Sequence, residues 1–109
     1  MEKESYLEKT EKLLHETGEN ARYTEQNFLL LGRIMENYSM VITDLNTIAP
    51  DIFNNLATLA LIDLTNRVNA LKKADTEIER QRCYQDYHDY LRHVLQLTSA
   101  YILEYFPDH

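Results

Sequence analysis

Residues 51–71 read DIFNNLATLALIDLTNRVNAL, and the expected architecture follows from this segment. Because an α-helix turns about 100° per residue, its apolar side chains would cover an arc of roughly 200°, wider than the stripe of an ordinary surface helix. The arc consists of Ile52, Phe53, Leu56, Ala57, Leu59, Ala60, Leu61, Leu64, Val68 and Leu71. A helix with so much apolar surface is expected to contact other helices on more than one side. The sequence therefore predicts an all-α bundle with this segment as its central helix.

Length and charge restrict the class of protein. The 109 residues predict one helical-bundle domain, 1–109. Two glycines and two prolines leave little material for tight β-turns or phosphate-binding loops. The formal net charge of −7 disfavours binding to a phosphate backbone, which needs clustered Lys and Arg side chains. We therefore expect no direct contact with nucleic acid.

The compartment follows from three weaker signs. The opening residues alternate acidic and basic side chains, which is not the pattern of a signal peptide. No apolar run approaches the length of about 18 residues that a transmembrane helix needs, so no membrane contact is expected. Cys83 is the single cysteine, which excludes an internal disulfide bond and fits a reducing compartment. These signs predict a cytoplasmic protein.

Turn and capping residues divide the chain into four predicted helices, at 3–17, 21–47, 51–73 and 77–106. Gly18 fits the left-handed position that ends a helix, and Pro50 fits the first turn of the next one. Thr76 and Glu79 form a T-x-x-E capping box, which places a break near Ala74; one continuous, kinked helix is the alternative. Neighbours joined by short turns pack antiparallel, so we predict an up-down antiparallel four-helix bundle with a short first helix. Because the first helix has a narrow apolar seam, three long helices plus a loose N-terminal helix remain the second arrangement.

Two charged residues lie within the apolar arc of residues 51–71. Asp63 and Arg67 are four positions apart, in the order that suits an intrahelical ion pair. Charged side chains at core positions are usually paired. The sequence therefore predicts a buried ion pair between Asp63 and Arg67, with a structural role.

The segment 80–93, RQRCYQDYHDYLRH, is the densest in functional groups. Asp86, Asp89 and His93 share one helical face at spacings that could hold a metal ion. This face is opposite the predicted core stripe, however, which favours an ordinary solvated surface. We predict no metal site and no cofactor.

Arg82 and His88 have the R-x(4–6)-H spacing of helical ribonucleases of the HEPN class, and the segment resembles those enzymes in this spacing alone. The resemblance implies His88 as general acid or base and Arg82 as the residue that stabilises the phosphate. Cys83 stands where those proteins usually carry a polar residue. The two side chains also lie about 120° apart on a helical wheel. Because of these two departures, a HEPN-like ribonuclease that uses Arg82 and His88 is the alternative function and not the preferred one.

Tyrosines and other apolar residues form a shoulder beside the core stripe of the last helix: Cys83, Tyr90, Leu97 and Tyr101. Tyrosine is enriched in protein interfaces, so this shoulder is the predicted partner-binding surface. The preferred function is a non-catalytic interaction or regulatory module of the inhibitor, immunity or adaptor type. It would act on another protein or on itself, as a homodimer. An acidic first helix that occupies a nucleic-acid-binding groove of another protein is a further hypothesis, with ordinary surface charge as the simpler reading.

Overall fold

The computed structural model describes residues 2–19 and 21–107 and confirms the four-helix bundle. The helices are α1 (Glu2–Thr17), α2 (Glu25–Ile48), α3 (Pro50–Lys73) and α4 (Glu77–Tyr105). They run up, down, up and down, and the described residues contain no strand. The bundle is elongated, with principal extents of 51 × 22 × 17 Å. The prediction of one domain over 1–109 also covers Met1, Asn20, Asp108 and His109, which lie outside the described residues.

Most helix ends lie where the sequence places them. Pro50 occupies the first turn of α3, and the Thr76 side chain accepts a hydrogen bond from the Glu79 backbone N–H at 3.1 Å. Ala74 is extended, with φ −65° and ψ 130°, so α3 and α4 are separate helices and the continuous helix is wrong.

The start of α2 differs from the predicted residue 21. Thr24 is the N-cap, and residues 21–24 form a non-helical segment that Gln81 of α4 contacts. The side-chain amide of Gln81 makes two hydrogen bonds to the backbone of this segment. Its Oε1 accepts one from the Tyr23 N–H and its Nε2 donates one to the Ala21 carbonyl, each at 2.7 Å. These two hydrogen bonds, to a residue 58 and 60 positions away along the chain, outweigh the local helical preference of residues 21–24.

Helices α2 and α4 each contact all three other helices of the bundle. Helix α3 contacts α2 and α4 on two sides, as predicted, but it shares no contact with α1 among the described residues. The prediction of α3 as the central helix is therefore wrong, because α2 and α4 lie on the short diagonal, whereas α3 occupies a corner on the long diagonal, away from α1. A corner helix buries only part of a wide apolar arc, and Leu59 is 62% exposed.

Helix α1 is an integral part of the bundle, so the loose N-terminal helix is wrong. Its buried side chains, Thr10, Leu13 and Thr17, follow each other at helical spacing. Near the N-terminus of α1, the ring of Tyr6 packs on Phe106, which directly follows α4, with ring centroids 6.0 Å apart. The narrow seam suffices because α1 lies in the groove between α2 and α4.

All four helices contribute to one hydrophobic cluster. Within it, the fully buried Tyr38 hydroxyl lies 2.9 Å from Thr98 Oγ1, which itself donates to the Val94 carbonyl. Since the Thr98 hydrogen is used by Val94, Tyr38 is the donor of the pair. Among the described residues, no helix combines the length and hydropathy needed to cross a membrane.

Candidate functional site

His88 and Arg92 of α4 fasten the C-terminal end of α1. His88 is 1% exposed, and its Nε2 lies 3.0 Å from the Gly18 carbonyl oxygen and 3.2 Å from that of Thr17. Arg92 Nη1 donates to the same Gly18 oxygen at 3.0 Å and to Thr17 Oγ1 at 2.7 Å. The last carbonyls of a helix lack intrahelical partners and carry partial negative charge. These two side chains therefore cap α1 from a neighbouring helix, and we call them the α1 clamp.

The positions of His88 and Arg82 can be compared with the roles that the ribonuclease hypothesis gives them. His88 faces α1 with its Nε2 against carbonyl oxygens, while its Nδ1 lies 3.2 Å from the Asp89 carboxylate. Arg82 is exposed and lies with Ile78 and Asp86 on the open side of α4. A general acid or base must reach the proton that it transfers, and His88 is enclosed. The structure gives His88 a structural contact and does not bring it together with Arg82.

The predicted intrahelical pair of Asp63 and Arg67 is replaced by contacts between α3 and α4. The Asp63 carboxylate accepts a hydrogen bond from the Tyr90 hydroxyl at 2.8 Å. Arg67 Nε lies 3.2 Å from Asp86 Oδ2 without hydrogen-bond alignment, and its guanidinium lies 3.9 Å from the centre of the Tyr90 ring. Arg67 reaches Asp63 only at its backbone carbonyl. The ion-pair prediction is therefore wrong in its partners, because α4 offers both residues better ones, and the four side chains are half-buried or exposed.

Burial raises the pKa of the Tyr90 hydroxyl, and its hydrogen bond to the Asp63 carboxylate raises it further. A carboxylate favours the protonated phenol that donates to it. Tyr90→Phe removes this donor but keeps the ring beneath Arg67. We expect it to lower the free energy of unfolding by about 1 kcal/mol, measured by urea denaturation. Asp63→Asn and the double variant complete the comparison. If the loss of stability in the double variant equals the sum of the losses in Tyr90→Phe and Asp63→Asn, the hydrogen bond carries no coupling energy.

The predicted partner-binding shoulder lies along the seam between α3 and α4. Cys83, Tyr90, Leu97 and Tyr101 are all half-buried and pack against the hydrophobic cluster. Tyr101, for example, packs on Phe53 of α3 with ring centroids 6.5 Å apart. Most of the apolar surface of the shoulder is thus covered within the chain, and its role in binding a partner stays a prediction.

The face of Asp86, Asp89 and His93 is exposed, as the sequence indicates. Each residue contacts a different neighbour: Asp86 pairs with Arg67, Asp89 accepts from Gln85, and the His93 ring packs by Tyr90. Hydrogen bonds from Gln85 and then from His88 hold the pKa of the Asp89 carboxyl below its usual value. Among the described residues, no three His, Cys, Asp or Glu side chains are arranged to hold a metal ion.

The outer face of α3 differs from the rest of the protein surface in carrying no charged side chain over a long stretch. Every exposed residue between positions 54 and 70 is uncharged. Leu59 and Ile62 form its apolar centre, with exposures of 62% and 53%, and the remaining residues are Asn54, Asn55, Thr58, Thr65, Asn66, Asn69 and Ala70. The two charged residues of this span, Asp63 and Arg67, turn toward α4. We call this surface the α3 face.

Sequence reasoning missed the α3 face because it assigned Leu59 to the core. A signal was available: the chain is 27% charged, yet the exposed positions of this helix hold only Asn, Thr, Ala, Leu and Ile for more than four turns. The width of the apolar arc led to the wrong assignment, because the arc alone does not indicate which of its edges is left uncovered by the other helices.

No family model, no curated protein and no solved structure matches the chain. The α3 face is therefore the feature from which a function is inferred.

Proposed function

We propose that the protein is a non-catalytic interaction module, of a regulatory or adaptor kind, that forms a homodimer through the α3 face. The exposure of Leu59 and Ile62 at the centre of an uncharged helix face is the observation that carries the proposal. An exposed apolar patch with a polar rim is typical of protein-binding surfaces. The Asn and Thr side chains around these two residues form such a rim.

Among the surfaces of the bundle, charge favours the α3 face for contact with a second copy. Each chain has a formal net charge of −7, so two copies repel each other over most of their surfaces. On α1, for example, Glu4, Glu8 and Glu11 are all exposed. The α3 face lets two copies approach without placing like charges in contact, and burial of the apolar centre favours association by roughly 25 cal/mol per Å² of apolar surface.

Leu59→Glu tests the proposal. In a symmetric dimer this change places two carboxylates in the interface, where an unpaired charge costs several kcal/mol. We expect the dissociation constant to rise by at least about 100-fold, so that light scattering gives the mass of a folded monomer. Because Leu59 is exposed, the circular dichroism and the melting temperature of the monomer should change little.

Leu103→Glu is the matched control. Leu103 is 58% exposed on α4, on the side of the bundle where Phe106 packs against Tyr6 of α1, far from the α3 face. This variant should keep the mass of the wild type. A wild-type monomer throughout the micromolar range, or a dimer that survives Leu59→Glu, would show that the α3 face does not pair two copies.

A further inference from the structure

We infer that the two copies pair through antiparallel α3 helices, related by a two-fold axis that runs between the two helices at the level of the Ala60–Leu61 peptide bond. This inference rests on the proposed function and specifies its geometry. Four exposed residues read Asn55, Leu59, Ile62 and Asn66 along the face. Their order is nearly the same in both directions: an amide, a branched apolar residue, a second one and an amide.

Self-complementarity follows from this order. A two-fold interface uses the same patch on both copies, so that residue i contacts j and j contacts i. With the axis at the level of the Ala60–Leu61 peptide bond, Leu59 lies opposite Ile62 of the second copy, and Asn55 lies opposite Asn66 of the second copy. The apolar residues then meet at the centre. Each amide carries both donors and an acceptor, so facing amides can hydrogen-bond to each other.

The ends of α3 favour the antiparallel orientation. The helix begins with Asp51 in its first turn and ends with Lys72 and Lys73 in its last. In the antiparallel register, Lys73 lies opposite position 48 of the second copy, about 4.5 Å along the axis from Asp51. Opposite charges and opposite ends of the two helix dipoles then lie together. A parallel pair would place Asp51 beside Asp51 and Lys73 beside Lys73.

The expected interface is small. Residues 54–70 span about 25 Å of helix, and one pair of helices buries less surface than the roughly 1,600 Å² of a standard interface. We expect association in the micromolar range, with monomer and dimer in exchange as the protein concentration changes. Such an equilibrium is suited to a regulatory module whose pairing changes with its abundance.

Two double variants distinguish the orientations. Asn55→Lys with Asn66→Glu places Lys opposite Glu at both ends of an antiparallel interface, whereas a parallel interface would oppose Lys to Lys and Glu to Glu. Asn55→Lys with Asn66→Lys places like charges opposite each other in both orientations. All substituted positions are exposed, so circular dichroism should report an unchanged fold.

We expect the Lys/Glu variant to remain a dimer by sedimentation equilibrium, with a dissociation constant that rises with added salt because salt screens the new pairs. The Lys/Lys variant should dissociate at least about tenfold more readily than the wild type. Dissociation of the Lys/Glu variant, or persistence of the Lys/Lys dimer, would overturn the antiparallel pairing. The proposed function would still stand if Leu59→Glu alone breaks the wild-type dimer, and it fails only if the wild type is monomeric or Leu59→Glu has no effect.

Discussion

Replacing His88 by Leu is expected to lower the free energy of unfolding by about 2–3 kcal/mol, because the buried Thr17 carbonyl at the end of α1 loses its donor. Leu fills a similar space but offers no N–H. Arg92 still reaches the Gly18 carbonyl, whereas the Thr17 carbonyl, 3.2 Å from His88 Nε2, is left without this partner. For a domain of this size the loss corresponds to a fall in melting temperature of roughly 10–20 °C.

The measurement is urea denaturation followed by circular dichroism, together with hydrogen exchange of the α1 amides. Exchange in the last turn of α1 should accelerate more than exchange in α2, since the α1 clamp acts on that turn. His93→Leu is the matched control: His93 is exposed on the same helix and should change stability by no more than about 0.5 kcal/mol. Equal losses of stability in His88→Leu and His93→Leu would refute the α1 clamp.

Alkaline pH is expected to unfold the bundle through its buried tyrosines. Burial raises the pKa of Tyr38 and of Tyr84 to about 12, and burial together with the neighbouring Tyr84 raises that of Tyr87 even further. A hydroxyl whose folded-state pKa exceeds its unfolded value near 10 stabilises the native state fully below about pH 10. That stability is lost as the pH rises through the folded-state pKa. For the fully buried Tyr38 alone, the loss reaches roughly 2–3 kcal/mol at and above about pH 12.

The free energy of unfolding, measured from neutral pH upward, should therefore stay level and then fall steeply above about pH 10. The ultraviolet absorbance of tyrosinate should rise in the same pH interval, because the phenols ionise as the chain unfolds. Tyr38→Phe should make the fall less steep, whereas Tyr105→Phe, at an exposed residue of α4, should leave it unchanged. Identical slopes for the two variants would contradict the assignment to Tyr38.

Local signals in the sequence were enough to predict the helices but not the neighbours of their side chains. Pro50, Thr76 and Gly18 act on the backbone within one turn, so the ends that they predict agree with the structure to within a residue or two. The partners of Arg67 and Asp63 belong to α4, and the carbonyls that His88 contacts lie 70 and 71 positions away. Helical periodicity carries no information on such pairs. It likewise did not reveal that α3 is a corner helix, since a wide apolar arc is compatible with burial from several directions.

The α1 clamp also determines when the bundle can be completed during synthesis. Helices α2, α3 and α4 are joined by short turns, so each can dock on its neighbour as soon as both have emerged from the ribosome. Helix α1 emerges before the other three, but its clamp residues emerge some 70 positions later. Contacts between distant segments form late because the closure of a long loop costs entropy before the contact repays it. Helix α1 therefore depends on a helix that is made later for its final place, and a chain stalled before residue 88 has no His88 or Arg92 with which to hold it.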